Sequence, residues 1–180
     1  MDNKFLDKIA DSFNTELPPA ESMDEYLDKI IPVIRRWSED LREENFYVGN
    51  HWIEMRDDES FHEMVFHIFN EEQEYINSID GEVSISEWRY MGNKLMIGGD
   101  EGEIYELAFM DQDFFILKKL SNPKALSRRY FVLVKESIAR KLEWREALEL
   151  LFNKYKNNNS FYWTMAVIVL LIIAIIIVLS

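Results

Sequence analysis

Residues 74–96 read EYINSIDGEVSISEWRYMGNKLM, and this stretch decides the fold. Asp80-Gly81 and Gly92-Asn93 are dipeptides that close tight hairpins between antiparallel strands. Between them, Trp88 and Tyr90 alternate with charged residues, so the two aromatic side chains share one face of a strand. The stretch therefore predicts consecutive antiparallel strands joined by short turns.

The same character extends over residues 46–135. Five of the six glycines lie between positions 81 and 102, where turns are needed. No helical stretch separates the β-prone runs, which argues against a parallel sheet. The sequence predicts an antiparallel β-meander of about eight strands, closed as a barrel or folded as a sandwich. The runs cover 51–56, 61–69, 74–78, 82–86, 88–91, 94–97, 103–110, 114–118 and 130–135.

Helical spacing flanks the meander on both sides, which makes the fold class α+β. Residues 1–45 form a predicted N-terminal helical arm, in which Ser22 and Glu25 make a capping-box signature. Pro32 is expected to kink this helix or split it in two. Residues 136–160 are predicted to form a juxtamembrane helix and linker. The apolar face of the N-terminal arm comprises Met23, Tyr26, Leu27, Ile30, Ile34, Trp37 and Leu41.

Residues 161–180 predict a transmembrane anchor. An unbroken aliphatic run from Val167 to Leu179 carries no charge, and twenty residues of helix span about 30 Å, the thickness of the hydrocarbon core. Aromatic residues at its start suit a membrane interface. The residues that best represent the anchor are Phe161, Tyr162, Trp163, Val167, Leu170, Ile173 and Ile177.

The orientation of this anchor follows from the charges that flank it. Lys154 and Lys156 precede it, and the N-terminus lacks the apolar segment of a secretory signal. The positive-inside rule then places the N-terminal domain in the cytoplasm. We therefore expect a tail-anchored, single-pass membrane protein.

Charge is divided unevenly along the chain. Residues 1–120 carry a net charge of −18, whereas residues 121–160 carry +5. A strongly acidic body repels phosphate backbones, so nucleic acid is excluded as a partner. Two interpretations of the basic segment stay open, contact with anionic lipid headgroups or pairing with the acidic body. Its candidate residues are Arg128, Arg129, Arg140, Lys141, Arg145, Lys154 and Lys156.

A resemblance accompanies these patterns over residues 50–135. Trp52 at the start of a strand, Asp80-Gly81, and then the run from Trp88 through Gly92-Asn93-Lys94-Leu95 resemble the lipocalin-like meanders of small bacterial proteins. A later pair of strands with Leu107, Phe109, Phe114 and Leu117 fits the same pattern. The resemblance implies a fold, and it assigns no binding residue.

No residue set predicts catalysis, a metal or a cofactor. His62 and His67 are five positions apart, whereas a zinc-protease helix needs a spacing of four. The acidic clusters around Glu54, Glu71, Asp100 and Asp111 are interpreted as solvated turn residues, and none has the spacing of a calcium loop. We therefore predict that the protein is not an enzyme.

Two functional hypotheses stay open at this point. In the first, the β-domain is a binding or scaffolding module that recruits a protein partner beside the bilayer. In the second, it is a lipocalin-type carrier of a small apolar ligand at the membrane. The interior distinguishes them, because a carrier needs a large cavity and a module can be filled with aromatic side chains.

Overall fold

The computed structural model describes residues 20–58, 63–120 and 128–156. In it, eight antiparallel strands follow one another around a closed barrel, and the last strand pairs with the first. The predicted meander is confirmed, and a barrel is the form it takes. The strands are β1 (His51–Met55), β2 (Val65–Phe69), β3 (Glu74–Ile79), β4 (Glu82–Met91), β5 (Lys94–Ile97), β6 (Glu103–Met110), β7 (Phe114–Lys119) and β8 (Tyr130–Lys135).

The hairpin between β3 and β4 shows why the sequence folds this way. Asp80 and Gly81 both adopt positive φ, 49° and 92°, and Ile79 pairs directly with Glu82. Two successive residues at positive φ match the right-handed twist of the flanking strands. The expectation of separate strands at 82–86 and 88–91 is wrong, because β4 runs without a break and Glu87 pairs with Glu74.

One end of the barrel is closed by the chain that precedes β1. Leu41 and Tyr47 are buried among the inward-facing side chains. The hydroxyl of Tyr47 donates to the carbonyl of Leu41 (3.1 Å), and the indole of Trp52 donates to the carbonyl of Tyr47 (3.1 Å). We call this the closed end. The opposite end, where β1 finishes and β2 starts, is called the mouth.

Helices cover one outer side of the barrel. They are α1 (Met23–Ile34), α2 (Glu136–Ala139) and α3 (Trp144–Lys156). The apolar faces of α1 and α3 pack on outward-facing residues of β1, β6, β7 and β8. Tyr26 meets Trp144 at one end of the helix pair, and Trp37 stacks on Tyr155 at the other. The two helices are therefore parallel. They run from the mouth, where Asp24 accepts from the backbone N–H of Arg129 (2.9 Å), towards the closed end, where Tyr155 bonds to Asp111.

Of the predicted N-terminal arm, residues 1–19 lie outside the described residues, and α1 ends earlier than its predicted apolar face. Ser22 caps it as expected, accepting from the backbone N–H of Glu25 (3.3 Å). Pro32 does not split α1, since the helix continues to Ile34 and a 3₁₀ turn (Arg35–Trp37) follows it. Leu41 lies beyond the helix, because the chain turns at Ser38 to close the barrel.

The C-terminal helical segment is divided in two. α2 ends at Ala139, and α3 starts at Trp144 after a turn. The carboxylate of Glu146 accepts from the backbone N–H of Glu143 (2.9 Å), which satisfies a free donor at the start of the new helix. Within the described residues, no helix combines the length and apolarity needed to cross a bilayer. The anchor predicted for residues 161–180 lies outside them.

Candidate functional site

The interior of the barrel has two halves of different character. Towards the closed end it is filled with buried side chains, among them Trp52, Phe69, Trp88 and Phe115. Towards the mouth it leaves a cavity of about 270 Å³. The cavity is lined mainly by polar and charged side chains, namely Glu54, Arg56, His67, Tyr75, Asn77, Glu103, Tyr105, Lys119, Arg128, Tyr130 and Phe131.

Glu54 lies on the inner wall of the mouth, two positions after Trp52 on the same face of β1. Its side chain is 6% exposed. Arg56 binds both carboxylate oxygens at 2.7 Å, and Arg128 approaches one of them at 3.4 Å. Burial alone would raise the pKa of Glu54, but hydrogen bonds from His67 and Arg56 and the guanidinium charge of Arg56 lower it to about 2. The carboxylate is therefore ionised at neutral pH.

His67 connects Glu54 to Tyr75 across three neighbouring strands. Its Nε2 lies 3.3 Å from Glu54, and its Nδ1 contacts the hydroxyl of Tyr75. A carboxylate can only accept, so Nε2 carries the proton, and in the neutral ring the tyrosine hydroxyl donates to Nδ1. Phe131 packs edge-on against the imidazole, with ring centroids 4.9 Å apart. The imidazole is held by both nitrogens and by its ring face.

A second polar group lies across the cavity on β6 and β7. The hydroxyl of Tyr105 donates to Glu103 (2.6 Å), and Lys119 binds the other oxygen of the same carboxylate. Burial opposes ionisation of Glu103, but the bonds from Lys119 and Tyr105 lower its pKa below the ordinary value. Burial and the bond to Glu103 raise the pKa of Tyr105. Glu103 is thus a carboxylate that accepts from a neutral phenol and from Lys119.

Asn77 differs from its neighbours on the cavity wall. Its Oδ1 is buried, and it is the one buried side-chain polar atom among the described residues that has no hydrogen-bond partner. Such atoms are rare in folded proteins, and each is explained by strain, by a functional role or by a bound water or ion. Asn77 gives the mouth an unused acceptor.

The hydrogen-bonded series Tyr75, His67 and Glu54 has the same order as the nucleophile, the base and the orienting acid of a catalytic triad. However, burial raises the pKa of Tyr75, which disfavours the phenolate that such a reaction would need. The groups fix one another in place, and the arrangement suits binding better than proton transfer.

The two histidines within the described residues, His51 and His67, do not converge on one point. His51 is exposed on β1 and contacts Glu136 (3.1 Å), whereas His67 faces the interior and is 3% exposed. His62 lies outside the described residues. Among residues 20–58, 63–120 and 128–156, no cluster of His, Asp or Glu is placed to hold a metal ion.

The interpretation of the acidic clusters as solvated turn residues is wrong for Glu54 and Asp111, whose side chains are buried, and for Glu103, which is on β6 and lines the cavity. Glu54 faces the interior, where the guanidinium groups compensate its charge. Asp111 is 6% exposed and accepts from the backbone N–H groups of Asp113 (2.7 Å) and Phe114 (2.8 Å). It therefore shapes the turn between β6 and β7.

The structure places the basic juxtamembrane residues in several surroundings. Arg128 pairs with Glu54 at the mouth, and Arg129 pairs with Asp24 and Asp28 of α1. Lys154 binds Asp111 (2.9 Å) and Asp113 (2.6 Å) at the closed end. The remaining residues lie outside the barrel. Arg140 pairs with Glu136, Arg145 stacks on Trp144, Lys141 lies between α2 and α3, and Lys156 ends α3.

A larger concavity of about 490 Å³ lies outside the barrel, beside the end of β1. Apolar residues such as Met55 and Leu142 alternate there with Asp57, Asp58 and Glu63. Among the described residues it contains no buried side-chain atom that lacks a partner. The mouth is therefore the better candidate site.

Comparisons of this chain with protein-family models, curated proteins and solved structures find no match. The residues of the mouth were not identified from the sequence as a site. One signal was available. Glu54 shares the inner face of β1 with Trp52, and a charged residue at an inward position requires partners from other strands.

Proposed function

We propose that this protein is a tail-anchored, single-pass membrane protein whose barrel is a non-enzymatic binding module on the cytoplasmic side. One observation carries the proposal: α3 ends against the closed end of the barrel. Tyr155 and Lys154 both contact Asp111 in the turn between β6 and β7. A chain that leaves α3 for the bilayer starts from that end.

The lengths of α3 and of the linker that follows it favour an arrangement in which the closed end of the barrel faces the bilayer. The predicted anchor starts at residue 161, and the four residues that separate it from α3 reach about 14 Å when fully extended. The thirteen residues of α3 rise about 20 Å from the mouth side to the closed end. The closed end would then lie next to the lipid, and the mouth would face the cytoplasm.

The interior favours the module over the apolar carrier. Aromatic side chains fill the half of the barrel near the proposed bilayer, and the remaining space is lined by charged groups. An apolar ligand would strip water from Glu54, Arg128 and Lys119 without replacing its hydrogen bonds. The lipocalin-like resemblance stays a proposal about fold, which the eight-stranded meander supports.

This arrangement determines which of the basic residues could lie near the lipid headgroups. With the closed end at the bilayer, Lys154 and Lys156 lie nearest the headgroups. Arg128, Arg129 and Arg145 lie towards the mouth. We therefore propose that lipid contact is limited to the end of α3, and that a protein partner or ligand meets the opposite end.

Single cysteines can measure the orientation, because the chain contains no cysteine. Gln112→Cys marks the turn at the closed end and Glu101→Cys a turn at the mouth, and both positions are exposed. Each full-length variant is labelled with a fluorophore and reconstituted into liposomes that contain an acceptor-labelled lipid. We expect stronger energy transfer from position 112 than from position 101. Equal transfer, or stronger transfer from 101, would contradict the proposed orientation.

Native mass spectrometry separates the module from the carrier. The protein is released from nanodiscs under mild conditions, and its mass is compared with that of the chain alone. We expect no apolar molecule bound at one copy per chain. A stoichiometric fatty acid or similar lipid that survives release would favour the carrier.

A further inference from the structure

The mouth contains an acceptor that the protein itself does not use. The Oδ1 of Asn77 is buried without a donor in the part of the chain that the structure describes. The three tyrosine hydroxyls of the cavity wall are committed elsewhere, since Tyr75 bonds to His67, Tyr105 bonds to Glu103 and Tyr130 bonds to Asp28. A buried acceptor without a partner is unfavourable. A donor on a bound molecule would satisfy it.

Cations outnumber anions around the same cavity. Its wall contains three cations, Arg56, Arg128 and Lys119, and two anions, Glu54 and Glu103, so its formal charge is +1. The cavity is therefore positive in a chain whose first 120 residues carry a net charge of −18. Arg128 contacts Glu54 through Nη1, and its side chain is 35% exposed. A guanidinium has five N–H donors in a planar fork, so Arg128 can bind a further anionic group from the open side.

The volume limits the size of this molecule. Pockets for drug-sized ligands occupy roughly 300–1,000 Å³, and the cavity at the mouth holds about 270 Å³. Only a small molecule or the terminal group of a larger one fits inside. Because the walls of the cavity are polar, most atoms of the bound molecule must take part in hydrogen bonds.

We propose that the mouth binds a small anion that carries its own hydrogen-bond donor, either a protonated phosphate group or a zwitterionic amino acid. The anionic oxygens lie against Arg128 and Lys119, and the donor bonds to the Oδ1 of Asn77. The proposal rests on the proposed function of the barrel as a binding module, and it names the ligand class of that module.

Two matched pairs of probes test the requirement for a donor. Phosphate at pH 7 carries an O–H that sulfate lacks, and L-glutamate carries an ammonium that glutarate lacks. Each is titrated calorimetrically into the full-length protein in nanodiscs of neutral lipid. We expect the member with the donor to bind at least tenfold more tightly in one of the pairs. The pair that shows the difference identifies the phosphate group or the amino acid.

Two variants connect the preference to named residues. Asn77→Leu should reduce the affinity of the preferred member to that of its partner, while the thermal midpoint stays the same or rises because a buried unsatisfied acceptor is removed. Arg128→Gln should weaken both members of the pair together. The matched control is Ser78→Ala, which changes the next residue of β3 on the outer face and should leave both affinities unchanged.

The outcomes that overturn the proposal are equally definite. Absence of binding by all four probes at 10 mM to a folded wild-type chain would show that the mouth is a closed network of ion pairs. Equal affinities within both pairs, or an unchanged preference in Asn77→Leu, would show that no donor of the ligand bonds to Asn77. The energy-transfer measurement is independent of these titrations, so a failure here leaves the proposed anchoring and orientation standing.

Discussion

The hydroxyl of Tyr155 donates a hydrogen bond to the carboxylate of Asp111, 44 positions earlier in the chain. Tyr155 is in the last turn of α3, and Asp111 is in the buried turn between β6 and β7. Burial and the bond to Asp111 raise the pKa of Tyr155, so the phenol remains a donor. This contact fixes the end of α3 to the closed end of the barrel.

Tyr155→Phe removes that donor and keeps the ring that packs on Trp37 and Phe109. We expect a loss of about 1.5–3 kcal/mol in the free energy of unfolding, the range for a hydrogen bond to a charged group. Thermal and denaturant unfolding of the full-length protein measure it. The control is Tyr90→Phe, which removes a half-buried hydroxyl with no hydrogen bond among those described. Equal stability of the two variants would show that the bond to Asp111 contributes nothing.

Trp88 tests whether the inward-facing aromatic side chains form the core of the barrel. It is 4% exposed, and its indole donates to the carbonyl of Asn70 (2.9 Å). Trp88→Ala should cost about 3–5 kcal/mol, typical of a buried tryptophan, and should abolish or weaken the near-ultraviolet circular dichroism. The control is Trp163→Ala, at the predicted membrane interface, for which the barrel should melt as in the wild type. A Trp88→Ala protein that melts within a few degrees of the wild type would contradict the structure.

The arrangement of strands could be predicted because its determinants are local. Asp80-Gly81 and Gly92-Asn93 determine their hairpins through backbone conformation alone. Each predicted β-run overlaps a strand of its own apart from 82–86 and 88–91, which share β4, although β2 starts only at Val65 within the predicted run 61–69. The exception arose at Ser86-Glu87, where the predicted break is absent because both residues continue the ladder with β3. Helix ends were less predictable, since Leu41 leaves the helix in order to close the barrel.

The candidate site could not be predicted because its partners are distant in sequence. Glu54 contacts His67 from the next strand and Arg128 from beyond β7. Without those contacts, a glutamate two residues after a buried tryptophan is interpreted as a solvated residue near a turn. The pairing of Glu103 with Lys119 depends in the same way on the register of β6 with β7.

The predicted topology has a direct test. Because the anchor carries no charge and lysines precede it, we expect a protease added to sealed, cytoplasmic-side-out vesicles to remove residues 1–160. The remaining fragment should resist extraction by alkaline carbonate. Vesicles opened with detergent provide the control for protease activity. Protection of the N-terminal domain in the sealed vesicles would overturn the cytoplasmic orientation.

Acid should weaken the barrel through Glu54. Its folded pKa of about 2 lies below the ordinary value of 4.5. A carboxylate whose pKa is lowered by folding contributes stability that is fully present above its unfolded pKa and is lost as the pH falls through the folded value. The difference corresponds to roughly 3 kcal/mol, at about 1.4 kcal/mol for each pKa unit. Denaturant unfolding between pH 6 and pH 2 should show this loss.

Glu54→Gln isolates the contribution of that carboxylate. At neutral pH the variant should be less stable than the wild type by about 3 kcal/mol, because the partly exposed guanidinium groups of Arg56 and Arg128 keep their charges beside a buried side chain that no longer supplies the compensating anion. Below pH 4.5 its stability should fall less steeply, since the group that titrates is gone. Glu101→Gln, at an exposed turn, should follow the wild type at every pH. If the free energy of unfolding falls equally steeply with pH in Glu54→Gln and in the wild type, another carboxylate controls the acid response. Glu103, bound by Lys119 and Tyr105, would be the next residue to replace.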